Sequence, residues 1–223
     1  MAGKLYLVST PIGNFRDITL RALDVLRSAD AVICEEYRAG STILKKLDVT
    51  AKDLILLNEH NEKDASPQIA QEILAGKTYA LISDCGTPAF ADPGTHLIRL
   101  CLQYGLRAVP VPGPSSLMAA ISLSPLPLDE FYFVGFLPRK KEEREVRLGA
   151  LKRLKVALVI MESPYRLERI LQEVAETFGD GQLITLAFDL TLKGEEVFHN
   201  TVAMVREKVE SKKGEFVLIV HRQ

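Results

Sequence analysis

Acidic, amide and imidazole side chains are concentrated in the segment N-E-H-N-E, Asn58 to Glu62, which follows a predicted strand. Glu59, His60 and Glu62 are of the types that accept a proton, and Asn61 could align a hydroxyl group. The spacing is not H-E-x-x-H, and the four histidines and three cysteines are dispersed, which argues against a metal site. An exposed polar loop with no part in chemistry is an equally good interpretation.

A second candidate loop, S-D-C-G-T-P-A-F-A-D-P-G, lies between a predicted strand and a predicted helix, from Ser83 to Gly94. Gly86 permits a backbone conformation, or a close approach, that other residues resist. The carboxylates of Asp84 and Asp92 could accept hydrogen bonds from an amine or a ribose hydroxyl. They could equally cap turns in a purely structural loop.

Other segments at predicted strand ends could also bind a ligand, but their sequence patterns are less specific. The segment S-T-P-I-G-N, residues 9–14, joins a strand to a helix, and Ser115 and Ser116 would stand at a helix N-terminus. Arg38, in E-E-Y-R, could hold a phosphate or simply pair with a neighbouring glutamate. The segment M-E-S-P-Y-R, residues 161–166, allows the same two interpretations.

Short apolar runs alternate with helical patterns along the whole chain. Strands are predicted at 5–10, 31–34, 54–57, 78–83, 107–111, 131–136, 156–161, 182–188 and 214–220. Helices are predicted at 18–29 with Asp17 as N-cap, from Ser66-Pro67 to Gly76, at 95–104, within 112–127, at 163–178 and near 201–211. The alternation predicts two α/β domains, residues 1–125 and 126–223, with ligand-binding loops at the carboxyl ends of the strands.

Composition excludes a disordered tail, a collagen and a disulfide-stabilised mini-protein. The 223 residues carry a net charge of -1, with 47 % hydrophobic and 26 % charged residues, as in an average soluble domain. No apolar run is long enough for a membrane helix, and the first residues are not expected to act as a signal peptide. Three dispersed cysteines indicate reduced thiols, so a cytoplasmic protein is expected.

Positive charge is concentrated in one segment of this nearly neutral chain. Residues 139–155 contain eight basic and three acidic residues, a net charge of +5. Such a segment could contact a phosphate backbone, or it could form the solvated face of a helix.

Eight motifs follow one another in order: T-P-I-G-N with D-I-T-L-R-A-L, E-x-x-R, E-H-N-E, S-D-x-G-T-P-x-x-x-D-P-G, V-P-x-P-G-P-S, G-F-L-P-R-K, E-S-P-x-R and G-E-F-V-L. In this order the chain resembles the RsmI family from Leu5 to Val220. These bacterial methyltransferases modify a cytidine ribose 2′-hydroxyl in small-subunit ribosomal RNA. They belong to the tetrapyrrole-methylase superfamily of S-adenosylmethionine enzymes.

The resemblance implies an α/β fold of two domains, each with a mixed or parallel sheet flanked by helices, a cofactor cleft between them, and a homodimer. It implies that S-adenosylmethionine, and the product S-adenosylhomocysteine, contact Pro11, Asp84, Cys85, Gly86, Thr87, Phe90, Ala91, Ser115, Ser116, Met161, Leu190 and Glu215. It places the acceptor nucleotide, in ribosomal RNA or the small ribosomal subunit, near Arg38, Glu59, His60, Asn61 and Glu62.

The chain departs from the family pattern on the presumed acceptor side. The usual E-D-T-R is E-E-Y-R, and Asn58 and Tyr165 each replace a histidine. Residues 188–194 lack the usual arginine, lysine and histidine, although Lys193 stands one place after the usual lysine. The resemblance implies a small C-terminal extension in the ribosomal enzymes, and this chain is expected to lack it. Two alternatives therefore stay open: a methylase of a tetrapyrrole or other small molecule, and a catalytically silent homologue that binds the cofactor.

Overall fold

The computed structural model describes residues 2–50 and 52–222. The chain divides into two compact units after Ser115. This division lies ten residues before the predicted domain boundary near residue 125. The helix Ser116–Ser122 contacts the strand Phe216–Val220, so it belongs to the second unit.

Strands alternate with helices in the first unit. In chain order its elements are β1 (Lys4–Val8), α1 (Leu20–Ser28), β2 (Ala31–Cys34), α2 (Tyr37–Lys46), β3 (Asp53–Leu56), α3 (Glu62–Leu74), β4 (Tyr79–Ile82), α4 (Thr95–Gln103) and β5 (Arg107–Val111). The five strands form a parallel sheet in the order β3-β2-β4-β1-β5.

The helices of the first unit cover both faces of its sheet. Leu26 of α1 and Ile43 of α2 belong to one core cluster, and Ile73 of α3 and Leu97 of α4 belong to another. Each cluster contains alternate side chains of the buried strands, as expected for a sheet covered on two sides. The loops after β1 and β2 therefore lead to one face, whereas the loop after β4, between them, leads to the other. Such a switch point is where open α/β sheets bind ligands.

The second unit contains a mixed sheet. Its elements are α5 (Ser116–Ser122), β6 (Phe131–Gly135), α6 (Lys141–Leu151), β7 (Ala157–Glu162), α7 (Leu167–Phe178), β8 (Leu183–Phe188), β9 (Glu196–Thr201), α8 (Val202–Lys208) and β10 (Phe216–Val220). The strand order is β6-β7-β10-β8-β9, in which β6 and β7 pair in parallel and the other neighbours are antiparallel. The predicted α/β fold class is confirmed.

Two helix starts differ from the prediction. Thr19, not Asp17, caps α1, because its hydroxyl accepts the Ala22 N–H at 3.1 Å while Asp17 lies in a short preceding 3-10 helix. Helix α3 begins four residues before Ser66, which leaves Pro67 inside the helix. The earlier start follows from the folded Asn58–Asn61 turn, whose Asn58 carbonyl already accepts the Glu62 N–H at 2.9 Å.

Two histidines share one hydroxyl group in the second sheet. Thr185 Oγ1 lies 2.9 Å from His199 Nδ1 and 2.8 Å from His221 Nε2. Burial lowers the pKa of His221 to about 4, and the nearby His199 contributes in the same direction. His221 therefore stays neutral in the folded protein well below the pH at which an exposed histidine is protonated.

We expect the second unit to lose stability as the pH falls from about 6.5 to 4. In that range the unfolded chain binds a proton on His221 that the folded chain does not, so protonation favours unfolding by up to about 3 kcal/mol. The His221→Gln variant should show a flatter dependence of unfolding free energy on pH in urea titrations. His96→Gln, on α4, should keep the wild-type slope. An unchanged slope in His221→Gln would contradict this role.

Candidate functional site

The loops that follow β1 and β4 are bonded to each other at the carboxyl edge of the first sheet. Thr10 N donates to Gly86 O at 2.9 Å, and Thr10 Oγ1 donates to Ser83 O at 2.8 Å. Cys85 Sγ lies 3.7 Å from Ile12 O. Pro11, which is buried, is thereby held against the loop that contains Asp84 to Ala91.

Gly86 stands where three loops converge. Its φ is +88°, and a Cβ atom there would lie 3.3 Å from Ile12 Cγ2 and 3.8 Å from Pro114 O. Thr87 Oγ1 donates to Pro114 O at 3.5 Å, close to Ser115. Both the left-handed backbone and the close approach to Ile12 favour glycine at this position. The absence of a side chain at Gly86 allows residues 9–14, 83–94 and 112–115 to pack together around it.

At this edge of the sheet, one carboxylate oxygen of Asp84 is available to accept a hydrogen bond from a ligand. Its Oδ1 is buried and has no hydrogen-bond partner in the described part of the chain, while the Glu36 N–H donates to the carboxylate. Burial raises the pKa of Asp84, and the charges of Glu36 and Asp92 raise it further. An orphaned carboxylate oxygen suits a ligand that presents an ammonium or hydroxyl group, as S-adenosylmethionine does.

Further carboxylates surround Asp84, among them Glu35 and Glu36, which are not among the site residues predicted from the sequence. Burial raises the pKa of Glu35, and the charges of Asp92, Asp84, Glu59 and Glu36 raise it further. Burial likewise raises the pKa of Asp92, against a hydrogen bond from Ser83. Groups with perturbed pKa values in a cleft are typical of functional sites. The sequence feature that could identify Glu35 and Glu36 is their position directly after the predicted strand at residues 31–34.

A pocket of about 410 Å³ opens beside Asp84 and also contains Arg38. It is lined by Phe15, Glu36, Arg38, Ala39, Thr42, Ile43 and Asp84. The combination of an aromatic ring, aliphatic side chains and charged groups suits a polar ligand with a flat part.

The Asn58–Glu62 segment divides into structural and exposed residues. Asn61 Oδ1 accepts the Asn58 N–H at 2.7 Å, and Asn61 Nδ2 donates to Leu56 O at 3.0 Å. Glu62 Oε1 accepts the N–H groups of Gly94 and His96 at 2.9 and 2.7 Å, which ties α3 to the start of α4.

Glu59 and His60 are the exposed members of this segment, with His60 Nε2 3.5 Å from Glu59 Oε1. Their side chains are therefore available to a ligand, while those of Asn61 and Glu62 hold the loop.

In the second unit, Met161, Leu190 and Glu215 lie at one edge of the sheet. Met161 is near the carboxyl end of β7, and Leu190 follows β8, whose carboxyl end points the same way. Asp189 Oδ1 accepts the Glu215 N–H at 2.9 Å, which brings Leu190 and Glu215 together. Burial, and then the charge of Asp189, raise the pKa of Glu215.

Other predicted cofactor residues lie in or beside the three loops. Cys85, Thr87, Phe90 and Ala91 are exposed in the loop after β4. Ser115 ends the first unit, and Ser116 is the first residue of α5. No group of histidine, cysteine and acidic residues that could hold a metal ion occurs within residues 2–50 and 52–222.

Comparison with known proteins assigns the fold to a class. Residues 4–205 match the family model of Tetrapyrrole (Corrin/Porphyrin) Methylases. A uroporphyrin-III C-methyltransferase from Thermus thermophilus, complexed with S-adenyl homocysteine, superposes with a TM-score of 0.67 at 19 % identity, covering 98 % of this chain and 97 % of its own. Diphthine synthase superposes with a TM-score of 0.76 at 15 % identity, covering 99 % and 90 %. The chain belongs to the tetrapyrrole methylase family of S-adenosylmethionine-dependent methyltransferases.

Several curated proteins are more similar in sequence to this chain than these solved structures are. A protein of Vibrio cholerae named ribosomal RNA small subunit methyltransferase I is 38 % identical over 97 % of this chain and 76 % of its own length. A protein of Thermotoga maritima with the same name is 38 % identical over 98 % of both chains. Relatives with this name thus include one of nearly the same length as this chain. The predicted family, enzyme class and methyl donor are confirmed.

Proposed function

We propose that this protein methylates a ribose 2′-hydroxyl of small-subunit ribosomal RNA. The observation that carries the proposal is the likeness to proteins named ribosomal RNA small subunit methyltransferase I, at 36 to 40 % identity over 97 to 99 % of the chain. The ordered motifs support the 2′-hydroxyl as acceptor. Ribosomal RNA, free or in the small subunit, is the proposed partner.

S-adenosylmethionine supplies a methyl group already activated by a sulfonium, so the protein mainly aligns the reactants and receives the hydroxyl proton. Asp84 is proposed to bind the donor through its unused Oδ1. The other proposed donor contacts are Pro11, Cys85, Gly86, Thr87, Phe90, Ala91, Ser115, Ser116, Met161, Leu190 and Glu215.

Acceptor binding is proposed for the pocket that contains Arg38, whose guanidinium suits a phosphate. Glu59 and His60 are proposed to receive the proton, since both are exposed and paired with each other. Asn61 and Glu62 position them through the hydrogen bonds that hold the loop. Of the three predicted proton acceptors, Glu59, His60 and Glu62, only Glu59 and His60 are therefore proposed for this role.

Small ribosomal subunits from a strain without the endogenous enzyme are the substrate that tests the proposal. We expect tritium transfer from labelled S-adenosylmethionine, and a 2′-O-methylnucleoside in mass spectrometry of the digested RNA. A methylated base, or transfer only to a tetrapyrrole, would replace this function with another.

We expect the double variant Glu59→Gln/His60→Ala to lower kcat by about 10²-fold, the usual size of a lost proton transfer. Binding of S-adenosylmethionine should be unchanged in calorimetry. Asp64→Asn, exposed on α3 a few residues away, is the matched control and should keep full activity. A double variant as fast as the control would remove proton transfer from this pair.

We infer that the protein is cytoplasmic, as its cysteine pattern indicates, and that it works as a homodimer, as the motif resemblance implies. Cys34 and Cys101 are buried thiols outside any disulfide, which suits a reducing compartment. Among the helices of the described ranges, none is long and apolar enough to cross a membrane. Sedimentation velocity of the purified protein tests the dimer.

A further inference from the structure

Charged side chains hold the loop between β6 and α6 from its inner side. Arg166 donates to Leu137 O at 3.1 Å and to Pro138 O at 2.8 Å. Buried Glu162 accepts the Leu137 N–H at 3.0 Å and lies 3.1 Å from the Arg166 guanidinium. Hydrogen bonds to ionised groups are stronger than neutral ones, so this part of the loop is firmly placed.

A second guanidinium holds the following residues. Arg144, on α6, donates to Pro138 O at 3.2 Å and to Arg139 O at 2.6 Å. Its other nitrogens form a bidentate pair with Glu173 at 2.6 and 2.7 Å. Three successive carbonyl groups are thus bonded from within the unit, which makes the loop a rigid support for the side chains that point outward.

Two aromatic rings and two cations are exposed around this support. Phe136, the first residue of the loop, is 56 % exposed, and Tyr165, directly before Arg166, is 84 % exposed. Arg139 and Lys140 are exposed as well. Aromatic faces beside cations are the two components with which proteins bind single-stranded nucleic acid.

Charge favours a polyanion as the occupant of this surface. Lys140 pairs with Glu143 at 3.1 Å, but Arg139 has no ion-pair partner within the described ranges. Apart from the buried Arg144, residues 139–155 contain seven basic and three acidic residues, a net charge of +4. A second copy of the chain placed symmetrically here would bring Arg139 and Lys140 against their own counterparts, which is unfavourable. Stacking on Phe136 and Tyr165 needs unpaired bases, so a duplex fits less well than a single strand.

We propose that Phe136, Arg139, Lys140 and Tyr165 form a contact surface for single-stranded RNA. The two rings stack on bases, and the two cations contact the adjoining phosphates. This inference rests on the proposed function and extends it by assigning part of RNA recognition to the second unit.

Fluorescence anisotropy with a labelled, unstructured oligoribonucleotide of about 16 nucleotides tests the surface. Phe136→Ala and Tyr165→Ala should each weaken binding about tenfold. In Arg139→Gln/Lys140→Gln the slope of log affinity against log salt should shrink by about 1.4, because two phosphate contacts are lost. Tyr104→Ala, 44 % exposed in the first unit, and Lys213→Gln are matched controls and should bind like the wild type.

Separate measurements distinguish failure of the surface from failure of the enzyme. If the wild type methylates ribosomal RNA and the aromatic variants bind the oligoribonucleotide unchanged, the surface is overturned and the function stands. If the variants lose oligoribonucleotide binding but the wild type methylates no RNA, the surface stands and the function falls. Unchanged RNA affinity with a shift in sedimentation coefficient for Phe136→Ala would assign the surface to a second copy and overturn the proposal.

Discussion

Asp84→Asn is expected to weaken binding of S-adenosylmethionine by about 10²-fold, and methyl transfer with it. The variant keeps the shape of the side chain but removes the charge that would meet a cationic or hydroxyl donor at the buried Oδ1. Loss of a buried charged hydrogen bond weakens binding by about 2–5 kcal/mol. Calorimetric titration of the donor measures the effect, and Ser115→Ala should give a smaller loss.

The same variant should not lose stability. Burial and the charges of Glu36 and Asp92 raise the pKa of Asp84, so its ionised form is disfavoured by the fold. Neutralising it should leave the midpoint of urea unfolding unchanged or higher, as expected where function opposes stability. Asp53→Asn, exposed on β3, is the control and should bind the donor normally. Tight donor binding by Asp84→Asn would remove Asp84 from the cofactor site.

Arg144→Gln is expected to lower the free energy of unfolding of the second unit by about 3–5 kcal/mol. Arg144 is 1 % exposed and Glu173 is 4 % exposed, so the variant leaves a buried carboxylate without its cation. The carbonyl groups of Pro138 and Arg139 also lose a donor. Urea unfolding, with hydrogen exchange of amides in α6 and α7, measures the loss.

Two further variants separate the buried charge from the hydrogen bonds. Arg144→Gln/Glu173→Gln removes both charges and should recover part of the lost stability, because no buried charge is left unpaired. Lys141→Gln breaks an exposed pair with Glu145 and should change stability by less than about 1 kcal/mol. Equal losses in Arg144→Gln and Lys141→Gln would show that burial of the pair is not the cause.

Elements bounded by turn residues and built from one apolar run were predictable. Strands β2 and β5 occur at the predicted positions, residues 31–34 and 107–111. Helix α2 was not predicted, because Glu36 makes no side-chain cap and Gly40 interrupts the pattern. Gly40 has a packing reason: a Cβ there would lie 2.7 Å from Cys34 Sγ. Strand β9 was missed because its polar residues show little apolar alternation, and it forms through pairing with β8.

The sequence predicts which loops form the candidate site, but it does not predict which of these loops lie side by side. Asp84 and Arg38 follow different strands, and they share a pocket only because β4 lies beside β2. The bonds from Gly94 and His96 to Glu62 span 32 and 34 residues, so no local pattern could assign Glu62 this structural role. Strand order across a sheet depends on tertiary packing, which one sequence does not display.

The central place of β4 affects how the first unit is assembled during synthesis. Within the described sheet, β1 pairs with β4 and β5, while β2 pairs with β3 and β4. Until residue 82 has left the ribosome, β1 has no strand to join, and its apolar side chains stay uncovered. At ordinary elongation rates this interval is roughly 4 to 15 s. Nascent chains should therefore recruit chaperones up to that length, and fewer once β4 has emerged.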